Sequence, residues 1–281
     1  MHMKPTDKLS PNFFASLVAK VVDFQASGID VIRLDIGSPD LPPATYIIDA
    51  LSQSAIKPTA HGYQSHRGSP ALREAWAEMY QRVHGVQIHP DDVLPLLGSK
   101  EGVFHLSQAM LNPGDVVLVP DPGYLTYTQG ALFAGAQPFF VPLLPENGYL
   151  PDLSNIPPDI CKRAKILWLN YPNNPTAAVA TLDFFAQAVE FCRQNQILLC
   201  HDAAYTQLRA TRKHGAYEAV GFAAAGAIAD ADQPDVVLFY HGQQYGLGLP
   251  GLVLWWCGED RAMVNDFTRG IHHRYLDPCA Q

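Results

Sequence analysis

Asp202 closes an apolar run, Ile197-Leu198-Leu199-Cys200-His201, and leads into Ala203-Ala204-Tyr205. A carboxylate at the end of a buried strand is placed for chemistry, although a lone aspartate there more often caps a helix. Three further stretches share its character. Gly98-Ser99-Lys100-Glu101-Gly102 sets a glycine and a small hydroxyl before a helical pattern, whose free N–H groups and positive dipole end can cradle a phosphate. The same serine with a glutamate close behind is also an ordinary capping arrangement. Asp121-Pro122-Gly123-Tyr124 is a rigid turn that delivers an aromatic ring, and Asn170-Tyr171-Pro172-Asn173-Asn174-Pro175-Thr176 fixes two adjacent amides between two prolines.

Each of these stretches follows an apolar run of strand length. The strand candidates are Val93–Leu97, Val116–Pro120, Pro138–Val141, Ile166–Asn170, Ile197–His201, Val236–Tyr240 and Leu252–Cys257. Pro70–His84, Glu101–Leu111, Tyr124–Ala134 and Leu182–Asn195 have amphipathic helical spacing. Runs of the two kinds alternate, which predicts an α/β fold: a mostly parallel seven-stranded sheet with helices on both faces. In such open sheets ligands sit beyond the carboxyl ends of the strands, where all four stretches fall.

Composition narrows the function. With 281 residues, 48% of them hydrophobic, the chain can bury one substantial core. Nineteen basic against 27 acidic residues give a net charge of −8, so no basic stripe exists for nucleic acid. No apolar run approaches a membrane span and the start lacks a signal-peptide stretch, so neither a membrane nor a nucleic acid is an expected partner and a cytoplasmic location follows. The five cysteines (Cys161, Cys192, Cys200, Cys257 and Cys279) show no C-x-x-C pair and read as reduced structural or surface thiols.

Taken together, the four stretches resemble the class I/II, fold-type-I aminotransferases that depend on pyridoxal 5'-phosphate (PLP). The wording is closest to the LL-diaminopimelate aminotransferase-like branch. The resemblance starts at Leu34-Asp35-Ile36-Gly37-Ser38-Pro39-Asp40, continues through Tyr63-Gln64-Ser65-His66-Arg67-Gly68 and Leu72-Arg73-Glu74, and ends at about Leu208. It implies transfer of an amino group between an amino acid and a 2-oxo acid, in a homodimer that shares its sites across the interface. Asp202 would pair with the pyridine nitrogen, Asn174 and Tyr205 would bond the phenolic oxygen, Tyr124 would stack on the ring, and the N–H groups around Ser99 and Lys100 would bind the phosphate. Gly37 would lie near the substrate carboxylate, and Tyr63 would reach the neighbouring subunit's phosphate.

The resemblance then fails at the residue the chemistry needs. Members of the family carry Ser-x-Ser-Lys after the sixth strand, and that lysine forms the internal Schiff base. Aligned on Leu249-Pro250-Gly251-Leu252, the present text His241-Gly242-Gln243-Gln244-Tyr245 puts Tyr245 at the lysine position and Val253 where an arginine is expected. The one lysine downstream of Asp202 is Lys213, too near in sequence to serve. Tyrosine has no amine, and a phenol of pKa about 10 is a poor base near neutrality.

Three domains are expected: an N-terminal arm and partial small domain over 1–50, the PLP-binding large domain over 51–260, and a truncated or divergent tail over 261–281, with the C-terminal small domain absent. Ile271-His272-His273-Arg274-Tyr275 can be encoded by codons that spell Ser-Thr-Ile-Asp when the frame is shifted, so part of the stretch from about Arg209 to Gln281 is expected to read a shifted frame. The leading expectation is an impaired aminotransferase. The alternatives are a non-catalytic PLP-binding or dimerising protein, and an active transaminase or PLP lyase using another lysine such as Lys100.

Overall fold

A computed structural model describes residues 13–34, 42–205, 236–239 and 253–256. Gly37, Tyr245, Lys213 and the tail from 261 lie outside them, as does the proposed frame shift except at its two short strands. The chain divides into two compact units, Met1–Pro42 and Pro43–Gln281. The first holds α1 (Phe13–Ala26), whose described side chains are mostly exposed.

The second unit contains a seven-stranded sheet in the order β1-β7-β6-β5-β4-β2-β3. Its strands are β1 (Leu94–Pro95), β2 (Val116–Asp121), β3 (Gln137–Pro142), β4 (Ala164–Asn170), β5 (Leu198–Asp202), β6 (Val236–Phe239) and β7 (Val253–Trp256). From β3 across to β6 every pairing is parallel, while β7 runs antiparallel to both β6 and β1. Two antiparallel steps restore the direction. The carboxyl ends of β1, β2, β4 and β5 therefore lie along one edge of the sheet, and all four stretches of interest leave from that edge. The expected mostly parallel, seven-stranded α/β sheet is what forms.

The remaining helices are α2 (Thr45–Ala55), α3 (Pro70–His84), α4 (Ser99–Met110), α5 (Leu125–Phe133), α6 (Pro158–Cys161) and α7 (Leu182–Asn195). The central strands are apolar on both faces because helices cover both. Alternation of period two sends Val116, Leu118, Leu167, Leu169 and Leu199 into a core with α3 and α7. Their neighbours Val117, Val119, Ile166, Trp168, Leu198 and Cys200 pack with α4 and α5. Helix ends follow ordinary chemistry. Thr181 accepts a hydrogen bond from the Phe184 N–H to start α7, and Gly85, at φ 68°, ends α3 in the left-handed region. Helix α2 was not expected: it is short, two prolines precede it, and its apolar residues Ile47, Ile48 and Leu51 share one side of the helix although none of its residues is buried.

Two arginines from the stretch 63–74 have structural work. Arg73 pairs with Asp91 at 2.7 Å and donates to the Pro90 carbonyl at 2.9 Å, and Arg67 donates to the Asp91 carbonyl. They clamp the short turn Pro90–Asp92 that leads into β1. The Arg73 guanidinium holds the Asp91 carboxyl below the usual carboxylate range.

Candidate active site

The rim is built by four strand ends that stop for identifiable reasons. After β1, Gly98 takes an extended backbone, φ 178° and ψ 160°, and α4 begins at once on Ser99. Ser99 is thus the first helical residue and not the cap. Its hydroxyl makes no capping hydrogen bond; Glu101 instead reaches back to accept from the Leu97 N–H at 3.2 Å. The capping reading of Ser99 gives way to another arrangement: a buried hydroxyl, 1% exposed, with no hydrogen-bond partner among the described residues. Backbone N–H groups in the first turn of a helix have no intrahelical acceptor, so those of Ser99 and Lys100 are not paired within α4. Lys100 itself is exposed.

The turn after β2 works because Gly123 lacks a side chain, since an added Cβ would collide with the Pro120 carbonyl oxygen. That close approach lets Tyr124 start α5 and set its ring edge-on to Tyr127, with centroids 5.6 Å apart at 83°. After β4, Asn170 ties the loop together. Its side-chain nitrogen donates to the Asp202 carbonyl at 2.8 Å, and its oxygen accepts from the Asn174 backbone N–H at 2.8 Å. Asn173 braces the same turn, accepting from the Thr176 backbone N–H and hydroxyl. Asn174, so placed, donates to the Tyr205 hydroxyl at 3.0 Å. These two residues, expected to share one ligand oxygen, are brought together.

Asp202 and His201 end β5 on opposite faces. Asp202 faces α5, where its Oδ2 accepts from the Tyr127 hydroxyl at 2.8 Å. Its Oδ1 is buried without a hydrogen-bond partner among the described residues. Burial pushes the carboxyl up to about 6, against the pull of the Tyr127 hydroxyl and the Ala204 backbone N–H, and neither closes a hydrogen bond on Oδ1. Tyr127 is fully buried, stacked on Trp168 at 4.7 Å and 8°, and burial beside Asp202 pushes its phenol well above the usual range. His201 faces α7, its ring against Phe185 at 4.9 Å and its Nε2 3.0 Å from the Tyr171 carbonyl oxygen. Burial lowers it to about 4, so the imidazole is neutral at pH 7.

Three contributors were missed by sequence reasoning: Tyr127, Asn170 as a brace, and His201. Tyr127 lies one helical turn beyond Tyr124, and the only signal was a polar atom on an otherwise apolar stripe. Tyr63 is fully exposed, and no hydrogen bond joins it to the cluster among the described residues. No group of three or more metal-ligating side chains occurs among the described residues, nor any helix long and apolar enough to cross a membrane.

One sheet edge thus carries a buried carboxylate oxygen and a buried hydroxyl at a helix start, neither with a hydrogen-bond partner among the described residues, beside an Asn–Tyr pair. The family model for aminotransferase class I and II matches residues 29–240, and the chain belongs to that family of transaminases. It is 46% identical over 202 residues to the LL-diaminopimelate aminotransferase of Moorella thermoacetica, covering 72% of this chain and 52% of that one. The enzyme of that name from Desulforudis audaxviator is 49% identical over 201 residues, covering 71% and 51%. The chain thus spans about half the length of these curated relatives. Among solved structures, substrate-bound BacF from Bacillus subtilis matches with TM-score 0.83 and 34% identity, over 98% of this chain and 68% of that one. Alanine aminotransferase from Pyrococcus furiosus shares the fold at TM-score 0.81 and 24% identity, over 97% and 67%.

Proposed function

We propose that this chain holds PLP at the carboxyl edge of its sheet as an aminotransferase does, and that amino transfer between an amino acid and a 2-oxo acid is crippled in it by Tyr245 at the lysine position. The observation that carries the first half is a pair of buried polar atoms without a hydrogen-bond partner among the described residues, Asp202 Oδ1 and Ser99 Oγ. Buried polar groups in native proteins are nearly always satisfied, so two orphans on one functional edge call for a ligand with a donor for the carboxylate and an acceptor for the hydroxyl. PLP offers both, a protonated ring nitrogen and a phosphate, and when bound it supplies an aldehyde carbon and an electron-accepting ring.

The residues divide the work. Asp202 Oδ1 would hold the proton on the ring nitrogen. The Ser99 hydroxyl and the N–H groups of Ser99 and Lys100 would take the phosphate, helped by the positive end of α4. Asn174 Nδ2 and the Tyr205 hydroxyl would bond the phenolic oxygen, and the Tyr124 ring would lie against the cofactor. Gly37 would face the substrate carboxylate, and Tyr63 would act across a homodimer interface. Tyr245 has no amine, so nothing at that position can bond covalently to the cofactor or carry a proton as an amine would.

Equilibrium dialysis of the full chain against PLP, followed by borohydride reduction and a second dialysis, tests this. The expected result is saturable binding, weakened by Asp202→Asn and by Ser99→Ala, with all of the cofactor lost on the second dialysis. Absence of saturable binding would overturn the cofactor site. Cofactor fixed by borohydride would show that another lysine serves, and would restore an active transaminase or lyase.

A further inference from the structure

Among the described residues the two carboxylate oxygens of Asp202 differ, one bonded and one not, and the difference has a cause in α5. The bonded oxygen, Oδ2, meets the hydroxyl of Tyr127. This tyrosine is held on its face by Trp168 and on its side by Tyr124. Trp168 lies on β4 in register with Cys200 of β5, two residues before Asp202. Helix α5 is itself pinned: Gly130 packs so closely on α4 that an added Cβ would stand 2.7 Å from Ser107 Oγ, and its carbonyl accepts from Gln108 Nε2 at 3.2 Å. The hydroxyl that meets Asp202 is therefore fixed by two helices and a strand.

We infer that Tyr127 is a positioning residue for the cofactor's ring nitrogen: by holding Oδ2 from the side of α5, it sets the plane of the Asp202 carboxylate and leaves Oδ1 as the acceptor for a protonated pyridine ring. The inference rests on the PLP-binding reading above. The terminal torsion of an aspartate is soft and roughly two-fold, so without a fixed donor the carboxylate plane can rotate and either oxygen can take either place. Burial keeps the Tyr127 phenol protonated, so it is a donor at every working pH. The ligand class follows. The site should prefer a heterocycle with a ring N–H over a carbocycle of the same shape, and Tyr127 should be part of the reason.

The test compares the affinities of the full chain for PLP and for 1-deaza-PLP, in which carbon replaces the ring nitrogen. Tyr127→Phe keeps the stack on Trp168 and removes only the hydroxyl. The wild type should prefer PLP, and Tyr127→Phe should reduce that preference about tenfold, the scale of one hydrogen bond to a charged group, with little change in affinity for the deaza analogue. In an Asp202→Asn background the Tyr127→Phe effect on the preference should disappear. Equal loss for both ligands would mean that Tyr127 only supports the fold, and would overturn the inference while leaving the PLP-binding reading intact. Wild-type protein that binds neither ligand would overturn both.

If Tyr127→Phe does not fold, wild-type protein labelled with carbon-13 at the tyrosine Cζ gives the second measurement. The Tyr127 resonance should shift on adding PLP and stay in place with the deaza analogue. Identical shifts with both would refute the role.

Discussion

His201 and Asp202 are adjacent on β5, buried on opposite faces, and perturbed in opposite senses, which makes the pH dependence of stability a sharp test of the site. Burial raises Asp202 from 3.8 to about 6. A raised acid favours the folded state below the unfolded pKa, and that contribution is lost as pH climbs through about 6. At ~1.4 kcal/mol per pH unit, a shift of roughly two units is worth about 3 kcal/mol. Burial lowers His201 from 6.5 to about 4. Its contribution is present above the unfolded pKa and is lost as pH falls through about 4, again about 3 kcal/mol. Between about pH 4 and about pH 7 the two nearly cancel in the wild type. Urea denaturation of cofactor-free wild type, Asp202→Asn and His201→Gln across that range separates them, because subtracting the wild-type curve removes every other titrating group. The stability of Asp202→Asn relative to wild type should rise by about 3 kcal/mol with pH, and that of His201→Gln should fall by about as much. Two flat difference curves would refute the claim that both groups are desolvated in the fold; a flat curve for Asp202→Asn alone would mean that Oδ1 is satisfied in the cofactor-free protein.

Saturating PLP should abolish the Asp202 slope in the same assay, since a protonated ring nitrogen on Oδ1 favours the charged carboxylate; a slope that persists with bound PLP would place the ring nitrogen elsewhere. Asn170→Ala removes two buried hydrogen bonds and leaves the Asp202 carbonyl and the Asn174 N–H without those partners. It should cost about 2–4 kcal/mol in urea denaturation and weaken PLP binding together. Gly130→Ala should destabilise by about 1–3 kcal/mol through the collision with Ser107, and Ser107→Gly in the same chain should recover most of it. Arg73→Ala should lower the urea midpoint without changing the PLP preference over its deaza analogue, because Arg73 braces the turn before β1 and touches nothing on the cofactor edge.

The parts of this site legible in the sequence are those where a rare residue is forced by backbone geometry. Prolines and Gly123 marked the two turns, and a carboxylate ending an apolar run marked Asp202, because strands buried on both faces leave no other place for charge. The sheet was legible for the same reason: continuous apolar runs of strand length separated by helical periods admit few other architectures. Boundaries were less so. Helix α4 starts two residues before its expected start at Glu101, because an extended Gly98 can serve as the cap with no side-chain oxygen, which converts Ser99 from a capping residue into an orphan hydroxyl. Helix α2 escaped notice although its sequence is amphipathic, because it is only eleven residues long and follows two prolines.

What the sequence hides is which side chain supports which. Tyr127 sits at a position that helical periodicity assigns to the core, and it is a core residue, entirely buried, with its ring stacked on Trp168. Only the partner of its hydroxyl, 75 residues away, gives it a part in the site. His201 is hidden in the same manner, since strand alternation says that it faces away from Asp202 but not that its imidazole meets the backbone of Tyr171, three residues before Asn174. Residues that touch a ligand tend to sit on loops and break local patterns, whereas residues that orient them obey the pattern and differ by one polar atom. A site read from sequence will therefore name its ligand contacts sooner than their braces. Here that difference runs through a single side chain: the sequence points to Asp202, and Tyr127 of α5 bonds one of its oxygens while the other has no partner among the described residues.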